Sequence, residues 1–127
     1  MEPKLQPYHR PDRTLIVTGI SRSGTSLLAT LIHRLEDAVC LNEVLPREAE
    51  ALPEAMARTR RDLLHDRPVW NKFGADGALT TDTLREDVVR EKRVVEKPLT
   101  RYFVLGTKRN LPYLNALETL LDLGFAV

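Results

Sequence analysis

Apolar and polar positions follow two different periods along this chain, and the first change of period comes early. Residues 14–18 form a short β-branched apolar run, Thr-Leu-Ile-Val-Thr, which is typical of a strand buried on both faces of a parallel sheet. A loop of small residues follows, and leucines then recur at helical spacing. This pattern predicts an amphipathic helix whose apolar side packs on the sheet. That side consists of Leu27, Leu28, Leu31, Ile32 and Leu35.

The rest of the chain continues to alternate between strand-like and helix-like segments. We expect strands at 38–41 and 102–105, and helices at 53–65, 83–93 and 110–124, the last with Asn110 as its N-cap. Residues 1–13 predict an irregular lead-in and residues 66–82 a loop. The apolar residues 125–127 have the character of the start of a further buried strand. The expected fold is therefore α/β, a three-layer parallel sheet flanked by helices, in a single partial domain spanning 1–127 and incomplete at the C-terminus.

Composition narrows the class of protein. The 127 residues suit one domain, and 43% hydrophobic with 29% charged residues favours a folded core over disorder. A formal net charge of +1 gives no global attraction to nucleic acid. Cys40 is the single cysteine, so an internal disulfide or a cysteine-rich zinc site is excluded. We find no apolar run long enough to span a membrane and no secretory signal, so we expect a cytoplasmic protein.

The loop after the first strand carries the candidate chemistry. Gly19 and Gly24 have the spacing of a phosphate-binding P-loop, with Thr25 where the lysine of that motif stands. Such a loop points its N–H groups inward at a helix N-terminus, where they hold an anion. Arg22 is the cation within the loop, and no later apolar strand ends in an aspartate that would hold Mg²⁺. The loop therefore predicts a parallel sheet of the P-loop type that binds a metal-free anionic ester. The alternative is a serine-rich turn with an ordinary N-cap.

The segment 20–28, Ile-Ser-Arg-Ser-Gly-Thr-Ser-Leu-Leu, resembles the 5′-phosphosulfate loop of sulfotransferases that use 3′-phosphoadenosine 5′-phosphosulfate (PAPS). It is most similar to the loop of the protein-tyrosine and bacterial branch. That loop has arginine at the position of Arg22 and proline at the position of Ser21. Residues 39–43 and 106–113 resemble two further segments of that branch, which contain its proposed general base and a lysine. The resemblance implies PAPS as co-substrate without a metal. The family's 3′-phosphate-binding segment would follow residue 127.

The resemblance also implies roles for particular residues. Arg22 would neutralise charge on the leaving phosphate, and Lys108 would hold the transferring oxygens. Glu43 would take a proton from a hydroxyl or amine acceptor, provided that desolvation raises its pKa toward the working pH. The co-substrate would be bound by the loop residues Ser21, Arg22, Ser23, Gly24, Thr25 and Ser26.

Other interpretations stay open on the sequence alone. Glu43 is also consistent with a solvated or capping carboxylate, Lys108 with a surface residue, and Lys97 with the family's lysine. A P-loop nucleotide-binding protein or small kinase is a second class, and a truncated or partner-completed non-catalytic chain is a third. We expect the acceptor to be a small molecule, a carbohydrate or a peptide. An unfinished apolar edge at 125–127 would invite self-association.

Overall fold

The computed structural model describes residues 3–20, 23–79 and 87–127. The lead-in forms short 3-10 turns at Pro3–Tyr8 and Pro11–Arg13, and a third turn occupies Ala49–Ala51. The strands in these ranges are β1 (Thr14–Val17), β2 (Ala38–Asn42), β3 (Val69–Phe73), β4 (Val89–Arg93) and β5 (Val104–Lys108). The helices are α1 (Thr25–His33), α2 (Leu52–Leu64), α3 (Leu111–Asn115) and α4 (Leu117–Asp122).

Three strands form a parallel sheet in the order β1-β5-β2, with β5 in the centre. The register places Val17 and Asn42 on either side of Lys108, so the carboxyl ends of all three strands lie side by side. The chain returns to this sheet at Ala126, which bridges to Leu15 on the free side of β1. The predicted start of a further strand at 125–127 is therefore present as this bridge.

Helices flank the sheet on both faces because side chains along each strand alternate in direction. On one face, Ile16 packs with Leu52 at the start of α2 and with Leu120 of α4. On the other face, Val17 and Cys40 pack with Ala29 of α1. The structure thus confirms the expected mixed α/β fold, in which helices pack on both faces of a parallel sheet.

Helix α1 packs on the sheet through Ala29 and the predicted Ile32, but its leucines do not face inward as predicted. Thr25, Ala29 and Thr30 are buried, whereas Leu27 and Leu35 keep 51% and 59% of their surfaces exposed. Leu28 and Leu31 are also exposed. The strand below has Gly106, where an added Cβ would lie 3.0 Å from Cys40 Sγ. The three atoms nearest to this added Cβ belong to β1 and β2, so the crowding lies within the sheet.

The region between α2 and β5 differs most from the sequence-based expectation. Residues 69–73, expected in a loop, form β3, and residues 89–93, expected in a helix, form β4. The two strands pair antiparallel, with Val69 opposite Arg93 and Phe73 opposite Val89. The proposed helix start at Thr83 and Glu86 lies outside the described residues. Cross-strand pairing determines the conformation of 89–93, which local helical spacing could not indicate.

Side chains from two neighbouring elements cover the outer edge of β2. Cys40 N–H donates to His33 Nδ1 at 3.1 Å, and Asn42 N–H donates to Asn71 Oδ1 at 2.9 Å. Asn71 Nδ2 in turn donates to the Cys40 carbonyl at 3.3 Å. These bonds satisfy an exposed strand edge and fasten the hairpin of β3 and β4 beside β2. His33 is thus part of the edge of the sheet.

His33 makes the stability of the fold depend on pH. Burial, with a smaller contribution from the Lys97 charge, lowers the pKa of His33 from 6.5 to about 4, against the opposing effect of the Cys40 carbonyl. As the pH falls below 6.5, His33 therefore binds a proton in the unfolded chain, whereas in the folded chain it binds one only near pH 4. We expect His33 to reduce the free energy of unfolding by about 2 kcal/mol between pH 7 and pH 5.

The test is urea denaturation of the wild type and of His33→Asn at both pH values. The asparagine amide oxygen can accept the Cys40 N–H bond and does not titrate, so this variant should lose less stability on acidification. His65→Asn, at an exposed position, is the matched control. Equal losses in the wild type and His33→Asn would contradict this assignment.

Candidate functional site

The loop between β1 and α1 turns tightly at its two glycines. An added Cβ at Gly19 would lie 2.9 Å from Ser23 Oγ, so the two sides of the loop nearly touch. Gly24 has φ +88, the left-handed conformation that glycine adopts without strain, and α1 begins at the next residue. Ser23 and Gly24 are exposed at this turn. The predicted residues Ser21 and Arg22 lie outside the described residues.

The two hydroxyls at the start of α1 have different partners. Thr25 Oγ1 donates to Asn110 Oδ1 at 2.8 Å, so its proton is used to tie α1 to the residue before α3. Asn110 thus receives a hydrogen bond from Thr25 and makes no side-chain cap of its own helix. Ser26 Oγ is half-buried and accepts a hydrogen bond from Lys108 Nζ at 3.2 Å. Ser26 therefore presents its hydroxyl to the site, whereas Thr25 offers its backbone N–H.

Lys108 lies at the end of the central strand, and its side chain is 2% exposed. β5 continues through this residue, three positions beyond the predicted strand end at 105. Lys108 Nζ is 3.7 Å from Glu43 Oε2. Glu43 follows the last residue of β2 and donates its backbone N–H to the Lys108 carbonyl at 2.9 Å. The strand ends thus bring the predicted residues Ser26, Glu43 and Lys108 together.

Lys72 adds a second cation to this group from the hairpin. Its Nζ lies 3.1 Å from Glu43 Oε1, so the carboxylate is held between two ammonium groups. Glu43 also has φ +56, an uncommon backbone conformation for a residue with a side chain. Such strain is stored where surrounding contacts over-determine it, which is common at functional sites.

These contacts set the charge state of Glu43 and Lys108. Burial of Glu43 opposes ionisation, but the Lys72 hydrogen bond and the charges of Lys108, Lys72 and Arg109 outweigh it, so its pKa is lowered. Desolvation could therefore not raise the Glu43 pKa toward neutrality, as the general-base hypothesis required. Burial also lowers the pKa of Lys108, against the attraction of Glu43. The site holds a carboxylate and two lysines in close contact.

Asn42 is buried beside Lys108 and brings unused hydrogen-bonding capacity. The two residues are register partners, so their side chains lie on the same sheet face. Neither amide atom of Asn42 has a partner among the residues that the structure describes. A buried polar group without a partner costs about 1–3 kcal/mol, and such groups are retained where a ligand or water completes them.

Sequence reasoning missed Lys72 and Asn42. Residues 69–73 alternate between buried and exposed side chains, with Val69, Asn71 and Phe73 inward. The residue types in Val-Trp-Asn-Lys-Phe do not alternate between apolar and polar, and Pro68 and the later glycines favoured a loop. The alternative lysine, Lys97, donates to the carbonyls of His33 and Leu35 at the opposite end of α1. Lys97 is therefore not part of this group.

Comparison of the chain with family models, with curated proteins and with solved structures finds no match. In the ranges that the structure describes, no helix has both the length and the apolar character needed to cross a membrane. Nor do His, Cys, Asp and Glu side chains in these ranges form a group of three or more suited to a metal ion.

Loss of Glu43 should destabilise the fold more than loss of Lys108. Glu43→Gln leaves the nearly fully buried Lys108 ammonium without its carboxylate, and we expect it to cost about 2–3 kcal/mol. Lys108→Met leaves Glu43 with Lys72 and partial exposure, so it should cost less than about 1 kcal/mol. Urea denaturation at pH 7 measures both values. The control is Glu91→Gln, which removes an exposed ion pair with Arg93 and should change stability by less than about 0.5 kcal/mol. The reverse order of costs for Glu43 and Lys108 would contradict the assigned pairing.

Proposed function

We propose that this chain binds PAPS and transfers its sulfuryl group to a hydroxyl or amine acceptor, as its resemblance to sulfotransferases in segment 20–28 implies. The observation that carries the proposal is the Lys108 ammonium, buried at the end of the central strand. It lies 3.2 Å from Ser26 Oγ at the start of α1 and 3.7 Å from the Glu43 carboxylate. A cation can stabilise charge in sulfuryl transfer, a helix N-terminus can bind the donor phosphate, and a carboxylate can accept the proton of the acceptor.

The sheet topology supports a ligand site at the carboxyl ends of the strands. β1 connects to β2 through α1 on one face, while β5 connects toward Ala126 through α3 and α4, with α4 packed on the other face. The connections of the adjacent strands β1 and β5 thus leave in opposite directions, and α/β sheets bind ligands outside such a point. We propose that the sheet is of the P-loop type, with the glycine loop following β1.

The proposed chemistry assigns binding to the start of α1. The free N–H groups of its first turn and the Ser26 hydroxyl would hold the 5′-phosphate, aided by the helix dipole. The oxygens of the transferring group and of the adjoining 5′-phosphate would accept hydrogen bonds from Lys108, which would turn from Ser26 toward them. Arg22 keeps its proposed role of neutralising the leaving phosphate as its bond to sulfur breaks.

Glu43 would receive the proton of the acceptor as the new sulfur–oxygen or sulfur–nitrogen bond forms. Its lowered pKa makes it a weak base, which suits a late proton transfer from an acceptor already acidified by bond formation. Because two lysines already balance its charge, Mg²⁺ could bind Glu43 only by displacing them. This balance supports a metal-free sulfuryl donor over a magnesium nucleotide.

The test is thermal unfolding with adenosine 3′,5′-bisphosphate, the product left by PAPS, against ATP with Mg²⁺. We expect a larger rise in melting temperature with the bisphosphate because its binding needs no divalent ion. Lys108→Met should reduce that rise by more than half, since it removes the buried cation. Lys4→Ala, an exposed lysine in the lead-in, should leave it unchanged. A larger rise with ATP and Mg²⁺ would favour the kinase class and contradict the proposal.

A further inference from the structure

The outer face of the hairpin gathers three cations around a tryptophan. Trp70 and Lys72 of β3 point to the same side, and the register places Lys92 and Arg90 opposite them on β4. The Arg90 guanidinium carbon lies 4.9 Å and Lys92 Nζ 5.5 Å from the centre of the indole ring. Trp70 nevertheless keeps 41% of its surface exposed. We call these four residues the basic hairpin face.

Most of the charge on this face is not neutralised by the protein. Among the residues that the structure describes, Arg90 and Lys92 form no salt bridge with a carboxylate, and both are exposed. Glu91, which lies between them, points to the opposite face and pairs with Arg93 at 2.7 Å. The ring holds both cations by cation–π attraction. The Lys92 donors and the Arg90 donors other than Nη2, which bonds to the Val44 carbonyl, are left available to an anion.

The basic hairpin face is continuous with the candidate site. Lys72 belongs to both, because its Nζ contacts Glu43 Oε1 at 3.1 Å. Arg90 donates to the carbonyl of Val44, the residue after Glu43, at 3.3 Å. A chain lying along this face would therefore lead directly to the proposed proton acceptor.

We propose that the basic hairpin face binds the acceptor of the reaction, and that this acceptor is an acidic glycan carrying carboxylate or sulfate groups. The inference rests on the proposed function for the role of acceptor. Arg90 and Lys92 would pair with the anionic groups, and the exposed part of the indole would contact the apolar C–H surface of a sugar ring. The exposed indole favours a glycan over an acidic peptide, whose carboxylates alone would use the cations and leave the ring uncovered.

Fluorescence of the protein measures this binding directly because Trp70 is its single tryptophan. The probes are an oligomer of polygalacturonate, poly-L-glutamate of equal charge, and neutral dextran. We expect polygalacturonate to change the emission, to bind more tightly than poly-L-glutamate, and to lose affinity as salt is raised. Dextran should not bind. The double variant Arg90→Ala/Lys92→Ala should bind polygalacturonate about tenfold more weakly.

The matched control is Lys4→Ala/Arg67→Ala, which removes two exposed cations elsewhere and should bind as the wild type does. Absence of polygalacturonate binding, equal or tighter binding of poly-L-glutamate, or equal weakening by the control would each overturn the inference. Adenosine 3′,5′-bisphosphate binding separates this result from the proposed function. If the bisphosphate binds and polygalacturonate does not, only the acceptor inference fails. If polygalacturonate binds and the bisphosphate does not, the basic hairpin face still binds an acidic glycan, but the sulfotransferase proposal fails.

Discussion

The compensation of one buried charge, the Lys108 ammonium, is the interaction on which the rest of this site depends. An ammonium removed from water is tolerated only where opposite charge and hydrogen-bond acceptors lie close to it. Glu43 supplies the charge and Ser26 an acceptor, and each comes from a different segment of the chain. The parallel register of β1, β5 and β2 brings these segments together at the carboxyl ends of the strands. A shift of β5 by one residue would point Lys108 to the other face.

The hairpin has a second role beyond covering the edge of β2. Asn71, on its inward side, bonds to the backbone of Cys40 and Asn42, and this attachment determines where the outward side lies. Lys72, the next residue, is thereby brought to Glu43. Asn71 thus covers the edge of β2, and the adjacent residue of the same strand, Lys72, forms part of the candidate site. The second lysine lowers the basicity of Glu43, so any proton transfer to that carboxylate must accompany bond formation.

The sequence could predict elements with strong local signals. The β-branched run at 14–18, the glycine loop and the helix after it are local features, and β1 and α1 form where they were expected. The grouping of Glu43 with Lys108 was also accessible, because parallel strands end together. The buried face of α1 was not, because the helical spacing of leucines does not show that Ala29, rather than Leu28 or Leu31, packs on the sheet. β4 was missed because its conformation depends on pairing with β3, a contact between distant residues.

The most direct test of this account is a crystal structure of the protein with adenosine 3′,5′-bisphosphate in the absence of divalent ions. The account predicts the 5′-phosphate at the N-terminus of α1, within hydrogen-bond distance of Ser26 Oγ and with Lys108 Nζ turned toward it. A nucleotide bound elsewhere, with the contacts among Lys108, Ser26 and Glu43 unchanged, would contradict it.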